Sequence, residues 1–292
     1  MVASGNDFVI IENSCQFLAK NICDRKYGIG ADGLLVLEKS KRADIRMRIF
    51  NADGSEAEMC GNGARCVAYV IARSRRRLRG EAEANQQPIA TGFLRFARNR
   101  LRNLKRRDCF TPSGFAMTIE TKVGIIGAEV KNDNVKIKLT PPKNIKLDIP
   151  LKVNNRTLKV NFIDTGVPHA VIFAEGLSKM DILPLGRTIR FHKNFSPKGA
   201  NVNFIEVLNK NSIKVRTYER GVEGETLACG TGSAASALIF AAKTNLNKKV
   251  YVRTQGNEIL SVYFSRQNNK FTDVWLEGKV KIVYEGEYFP SP

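Results

Sequence analysis

The strongest constraint on this chain is a device used twice. "EAEMCGNGARCVAYV" (residues 56–70) and "GETLACGTGSAASALIFAA" (residues 224–242) each place a cysteine before a Gly-x-Gly turn that opens an apolar, small-residue run. In the first, Ala64, Val67, Ala68 and Ile71 recur at helical spacing, which predicts a helix that starts beside Cys60 and packs one face inward. The second predicts the same beside Cys229. Glu56 and Glu225 stand four residues before their cysteines, and each half has an earlier strand beginning near an asparagine, "GNDFVI" and "ANVNFIEV". Two similar halves would follow. Pseudo-twofold symmetry is the simplest arrangement that brings two such helix starts together.

Between these helices the chain reads as strands. "GNDFVIIEN", Leu34 to Leu37 and "ADIRMRIFNADG" precede Cys60; "MTIETKVGIIGAEV", "NVKIKLT", "LKVNFIDTGVPHAVIF" and "NVNFIEVLNKNSIKVRTYERG" precede Cys229; "KVYVRTQGNEILSVYFS" and "FTDVWLEGKVKIVYEGEYF" close the sequence. The expectation is a mixed α/β (α+β) protein, mostly β with two prominent helices. At 292 residues and 43% hydrophobic content it can fill two cores. The expected layout is an N-terminal lobe, residues 1–130, a second lobe, 131–270, and C-terminal strands, 271–292, returning to the first.

Several classes are set aside on composition. No apolar stretch approaches the ~18 residues of a membrane span, and "MVASGNDFVI" lacks the layout of a secretory signal. A cytoplasmic protein is expected. Cys15, Cys23, Cys60, Cys66, Cys109 and Cys229 form no CxxC, and with only His169 and His192 there is no zinc spacing, so neither a disulfide framework nor a metal is expected. The formal charge of +19 is uneven. About half the excess lies between Arg73 and Arg107, which hold eleven Arg and one Lys against Glu81 and Glu83. This segment reads as a solvated insertion at about 73–110, extending the first helix at its start. A nucleic-acid contact is the competing reading, but the aromatic residues there, Phe93 and Phe96, are not interleaved as a base-stacking platform would want.

A helix start leaves backbone N–H groups without intrahelical partners and carries partial positive charge, so it favours a thiolate and binds carboxylates. A thiol with an ordinary pKa near ~8.5 then needs only a modest shift to serve as either acid or base. Two such thiols on opposite faces of one carbon would invert a stereocentre: one removes a proton and the other returns one. Alone, a Cys before Gly reads as a small buried residue. The repetition argues for an acid/base pair, with Cys66, six residues further along, as core.

Together "FNADGSEAEMCGNGARC", "YERGVEGETLACGTG", "GIGADG", "GVPHAV" and "GANVNF", in this order, resemble the diaminopimelate epimerases, from "ASGNDFVIIEN" to "EGEYF". The resemblance implies two pseudo-symmetric lobes, each a β-barrel-like sheet around a central helix, with the active site in the cleft between them. It implies cofactor-independent interconversion of LL- and meso-diaminopimelate, in lysine biosynthesis, by a homodimer. Cys60 and Cys229 fall on the catalytic cysteines. Asn6, Asn51, Asn201, Glu219 and Arg220 fall on substrate-binding positions, and Gly61, Asn62, Gly230 and Thr231 on the donors at the two helix starts. His169, which by itself reads as structural, falls with Glu219 on residues that help set the thiol protonation states.

Against the family pattern, Val167 stands where many members have Asn, and Gly33 where some have a polar residue. The family usually begins with a strand leading into the position of Met1, the loop between Arg220 and Glu225 is longer than in the shortest members, and the Arg-rich insertion replaces a short link. The competing functions are a proline or hydroxyproline racemase of the same fold, or a non-catalytic nucleic-acid binder. A Cys60–Cys229 disulfide would be an inactivating side reaction.

Overall fold

The computed structural model describes residues 1–12, 19–78, 110–111, 114–267 and 270–288. The chain divides into two compact units, residues 1–137 with 279–292, and residues 138–278. The boundary falls later than 130 because the strand Asn134–Lys138 pairs with Gly124–Lys131, and only residues from Lys279 onward, not from 271, return to the first unit.

In the first unit Asn6–Glu12 runs parallel to Gly33–Glu38, which pairs antiparallel with Ile45–Asn51; the latter continues parallel into Gly114–Thr121. Gly114–Thr121 then forms a hairpin with Gly124–Lys131, so "MTIETKVGIIGAEV" holds two strands. The Gly61–Leu78 helix packs against strands drawn from along this sheet. Its first turns are buried almost all round, with Cys66, Val67 and Ala68 fully enclosed. Its start is delivered by a small hairpin in which Glu56–Ala57 folds back on Ile45–Asn51.

The second unit repeats this order. Pro168–Phe173 runs parallel to Asn201–Asn209, which pairs antiparallel with Ser212–Glu219; Gly224–Thr226 folds back on that strand and delivers the Gly230–Thr244 helix. Ser212–Glu219 continues parallel into Lys249–Arg253, followed by the antiparallel strands Ile259–Gln267 and Lys270–Lys279. The duplication read from the sequence is therefore present, with a different pairing. "GNDFVI" matches the Pro168–Phe173 strand, and "ANVNFIEV" matches Gly33–Glu38.

Among the described elements that escape the sequence pattern are the short helix Ala19–Cys23 and the two that follow. Leu183–Arg190 is a helix whose inward stripe consists of little more than Gly186 and Ile189. Lys143–Val153 is a strand with register shifts at Lys146, flanked by Asn144 and Asp148 at positive φ, so its side chains do not alternate as in a regular strand.

Candidate active site

Both cysteines sit where the Gly-x-Gly turns place them. Cys229 is the residue before the helix, in extended backbone at φ −117 and ψ 117, and its sulfur accepts a hydrogen bond from Gly232 N at 3.4 Å, the position a capping oxygen usually fills. Cys60 does the same with Gly63 N at 3.4 Å. The first helical hydrogen bonds match as well, Ala64 N to Cys60 O at 2.9 Å and Ser233 N to Cys229 O at 2.8 Å. Cys23, Cys60, Cys66 and Cys229 all carry thiols rather than disulfides. Cys15 and Cys109 lie outside the described residues.

The glutamate four residues before each cysteine has one structural meaning in both units. Glu56 receives Arg48 through Nε at 2.8 Å and Nη2 at 3.0 Å, and Glu225 receives Arg216 through Nε and Nη2, both at 2.7 Å. Each is a two-pronged pair across the hairpin that carries the cysteine. Arg216 also donates to the carbonyls of Leu177 and Met180 at 2.8 and 2.6 Å. Arg48, reinforced by Lys122, holds the Glu56 carboxyl down at about 2. The folded pKa lies below the ordinary carboxylate range, so the contribution to stability is complete above about pH 4.5 and is lost as pH falls toward about 2. Glu56→Gln is expected to lower the melting temperature at neutral pH and to reduce its fall over that acid window, measured by thermal unfolding at stepped pH.

In the first unit the turn after Cys60 is tied to Asn6. Asn62 donates from Nδ2 to Asn6 Oδ1 at 2.7 Å, Asn6 donates to Asp32 at 3.1 Å, and Arg65, fully buried, donates to Asn62 Oδ1 at 2.8 Å and to Ser4 Oγ. Asp32 in turn receives Arg25, which also bridges Asp7. The Asn62 side chain thus belongs to this internal network, so its proposed part as a donor falls to its backbone. Asn51 is exposed and donates to Ser55 at 2.9 Å. Asp32, Arg65 and Ser4 were missed in the sequence. The signal for Arg65 is a charged residue among the apolar positions of a buried helix.

In the second unit Glu219, Asn201, Arg220, His169, Thr231 and Cys229 all belong to adjoining elements. Burial pushes the Glu219 carboxyl upward, against hydrogen bonds from Thr226, at 2.9 Å, and from the Cys229 thiol. Thr231 Oγ1 lies 3.5 Å from Cys229 Sγ. Asn201 Oδ1 accepts from Arg220 N at 2.8 Å, fixing the turn that carries the guanidinium. His169 is fully buried, and its pKa is lowered to about 3 by burial and by the nearby Arg220 charge, so the ring is neutral. Its Nδ1 lies 3.0 Å from Asn203 Nδ2. Asn203, one position along the inward face from Asn201, was not singled out in the sequence.

The family model described as diaminopimelate epimerase matches residues 1–85 and 161–283. The chain belongs to the diaminopimelate epimerase family. A diaminopimelate epimerase of Aquifex aeolicus is 37% identical, covering 97% of this chain and 94% of that one. One of Archaeoglobus fulgidus is 38% identical over 98% and 94%. Family membership makes the chain an epimerase, an isomerase acting on a small molecule. Among solved structures it is similar in fold to a phenazine biosynthesis protein of the PhzF family from Bacillus anthracis (TM-score 0.62, 19% identity, 96% and 92% coverage). A probable proline racemase from Agrobacterium radiobacter is similar as well (TM-score 0.61, 15% identity, 90% and 78% coverage).

Most of the Arg-rich run, residues 79–109, lies outside the described residues. Its first arginines belong to the Gly61–Leu78 helix and are engaged within the first unit: Arg73 pairs with Glu285, and Arg75 lies 3.9 Å from Asp44 and over the Phe115 ring. Among the described residues no helix is long and apolar enough to cross a membrane.

Proposed function

We propose that this chain interconverts LL- and meso-2,6-diaminopimelate by two-base proton transfer at the α-carbon, as a step of lysine biosynthesis, and that it works as a cytoplasmic homodimer. The observation that carries the reading is the repeated cysteine at a helix start, held each time by an Arg–Glu clamp in a chain of this family. One thiolate takes the α-proton while the other thiol delivers a proton to the opposite face, so the two sulfurs end with exchanged protonation states. Helix-start N–H groups at Gly61, Asn62, Gly230 and Thr231 stabilise the charge that builds on the substrate carboxylate. Asn6, Asn51, Asn201 and Arg220 hold the polar ends of the substrate. Glu219, its pKa raised by burial, exchanges a hydrogen bond with the Cys229 thiol and helps set its protonation state.

The test is incubation with LL-diaminopimelate in deuterated water under reducing conditions, following solvent deuterium at the α-carbon and formation of the meso isomer. Folded protein that catalyses neither sinks the assignment. Proline and hydroxyproline in the same assay address the racemase reading, and deuterium entering those substrates instead would replace diaminopimelate with them.

A further inference from the structure

The second unit buries three polar side chains where the first buries only apolar ones. The strand registers place His169, Asn203 and Thr217 at the positions that Phe8, Leu35 and Ile49 occupy in the first unit. All six are buried. The fold closes over this place with hydrocarbon alone, so the polar trio is not something the architecture requires, and burying it is unfavourable unless its bonds are made.

Those bonds fix the chemistry of the histidine. A carbonyl oxygen only accepts, so the end of the Asn203 amide 3.3 Å from Ala170 O is the nitrogen. The amide oxygen accepts from Thr217 Oγ1 at 3.0 Å, which agrees. The same nitrogen lies 3.0 Å from His169 Nδ1, so Nδ1 faces a donor and must accept. A neutral imidazole has one ring proton, and it is then on Nε2. That nitrogen is buried and has no hydrogen-bond partner among the described residues.

We infer that Asn203 is a positioning residue that fixes His169 as the Nε2–H tautomer, making the ring a hydrogen-bond donor to an anion at the reacting centre rather than a proton acceptor. The tautomer stands on these contacts alone; the role at the reacting centre rests on the proposed function. His169 supports negative charge there and takes no proton, since its remaining basic nitrogen is turned into the Asn203 amide. Arg220, the charged group whose field reaches the ring, further disfavours the imidazolium.

Long-range proton–nitrogen NMR of the whole protein tests this. The chain has only His169 and His192, so His192→Gln assigns the signals. The expected tautomer is Nε2–H with bare Nδ1 at every pH from about 5 to about 9, whatever small shifts the Nε2–H resonance shows. An Nδ1–H pattern, or titration of His169 near its ordinary pKa, overturns the inference. Movement of the Nε2–H resonance on adding diaminopimelate identifies a substrate carboxylate as acceptor. Movement with pH in the free protein identifies a thiolate, and stillness in both overturns the donor role. Asn203→Asp, nearly isosteric, puts an accepting oxygen against Nδ1 and should switch the ring to Nδ1–H, with kcat for deuterium exchange falling roughly 10²-fold and KM little changed. Full kcat in a switched ring would also overturn the role. If Asn203→Asp does not fold, the wild-type spectrum decides the tautomer without it. An Nε2–H ring in a protein inactive on diaminopimelate would sink the proposed function and spare the tautomer.

Discussion

Cys60→Ser and Cys229→Ser each reduce α-hydrogen exchange of diaminopimelate by roughly 10³-fold, within the range that a positioned acid or base contributes. The hydroxyl keeps the size and hydrogen-bonding capacity of the thiol but ionises far above neutral pH, so the proton carrier is lost while the helix cap remains. Serine accepts the Gly63 or Gly232 N–H at least as well as sulfur does, and both variants should therefore melt close to wild type. The loss belongs in kcat more than in KM, since neither sulfur is among the groups proposed to hold the substrate ends. The two variants also separate the roles. Each lacks one of the two proton carriers, so solvent deuterium should enter preferentially from the side of the surviving thiol. Full activity in either variant would refute a two-thiol mechanism, and equal collapse of the melting temperature would show that sulfur was needed for packing.

How far such expectations could be read from the sequence depended on how local the signal was. Each cysteine, its turn and the first half of its helix lie within about fifteen residues, and the 3.6-residue period of Ala64, Val67, Ala68 and Ile71 carries through to the buried face. The matching glutamates were visible as a coincidence of spacing. Their meaning was not, because Arg48 and Arg216 lie on the preceding strand and only the hairpin register brings them within reach, diagonally across the pair. The duplication was legible in outline but aligned one strand off. An asparagine near a strand start drew "GNDFVI" and "ANVNFIEV" together, whereas the pairing order matches "GNDFVI" with "PHAVIF". With that corrected, the two departures from the family pattern fall at related places. Val167 occupies the position equivalent to Asn6, and Gly33 the position equivalent to Asn201. Asn203 was invisible for a related reason. In "NVNF" it looks like its neighbour Asn201, and what distinguishes it is the parallel partner strand carrying His169.

Gly232→Ala is expected to be strongly damaging, and Gly63→Ala its mild counterpart. A Cβ at residue 232 would lie 2.4 Å from Asn203 Oδ1, 3.2 Å from Cys229 Cβ and 3.3 Å from Cys229 Sγ. The amide oxygen cannot retreat, since Thr217 donates to it and the other end of the amide is bonded to Ala170 O and His169. The helix must therefore lift, at a cost of about 1–3 kcal/mol for an overpacked core, roughly 2–4 °C of melting temperature for each kcal/mol. Lifting it moves the Cys229 sulfur away from the Gly232 N–H and disturbs the Asn203–His169 contact, so exchange activity should fall by more than the stability loss explains. At residue 63 the nearest atom is Leu35 Cδ2 at 3.0 Å, the end of a side chain that can turn aside, and Cys60 Cβ is 3.7 Å away. Gly63→Ala should keep most of its activity and stability. The contrast arises because the added methyl meets Asn203 in one repeat and Leu35 in the other. Comparable losses in the two variants, measured by thermal unfolding and deuterium exchange side by side, would mean that the buried amide is free to move and does not hold the histidine.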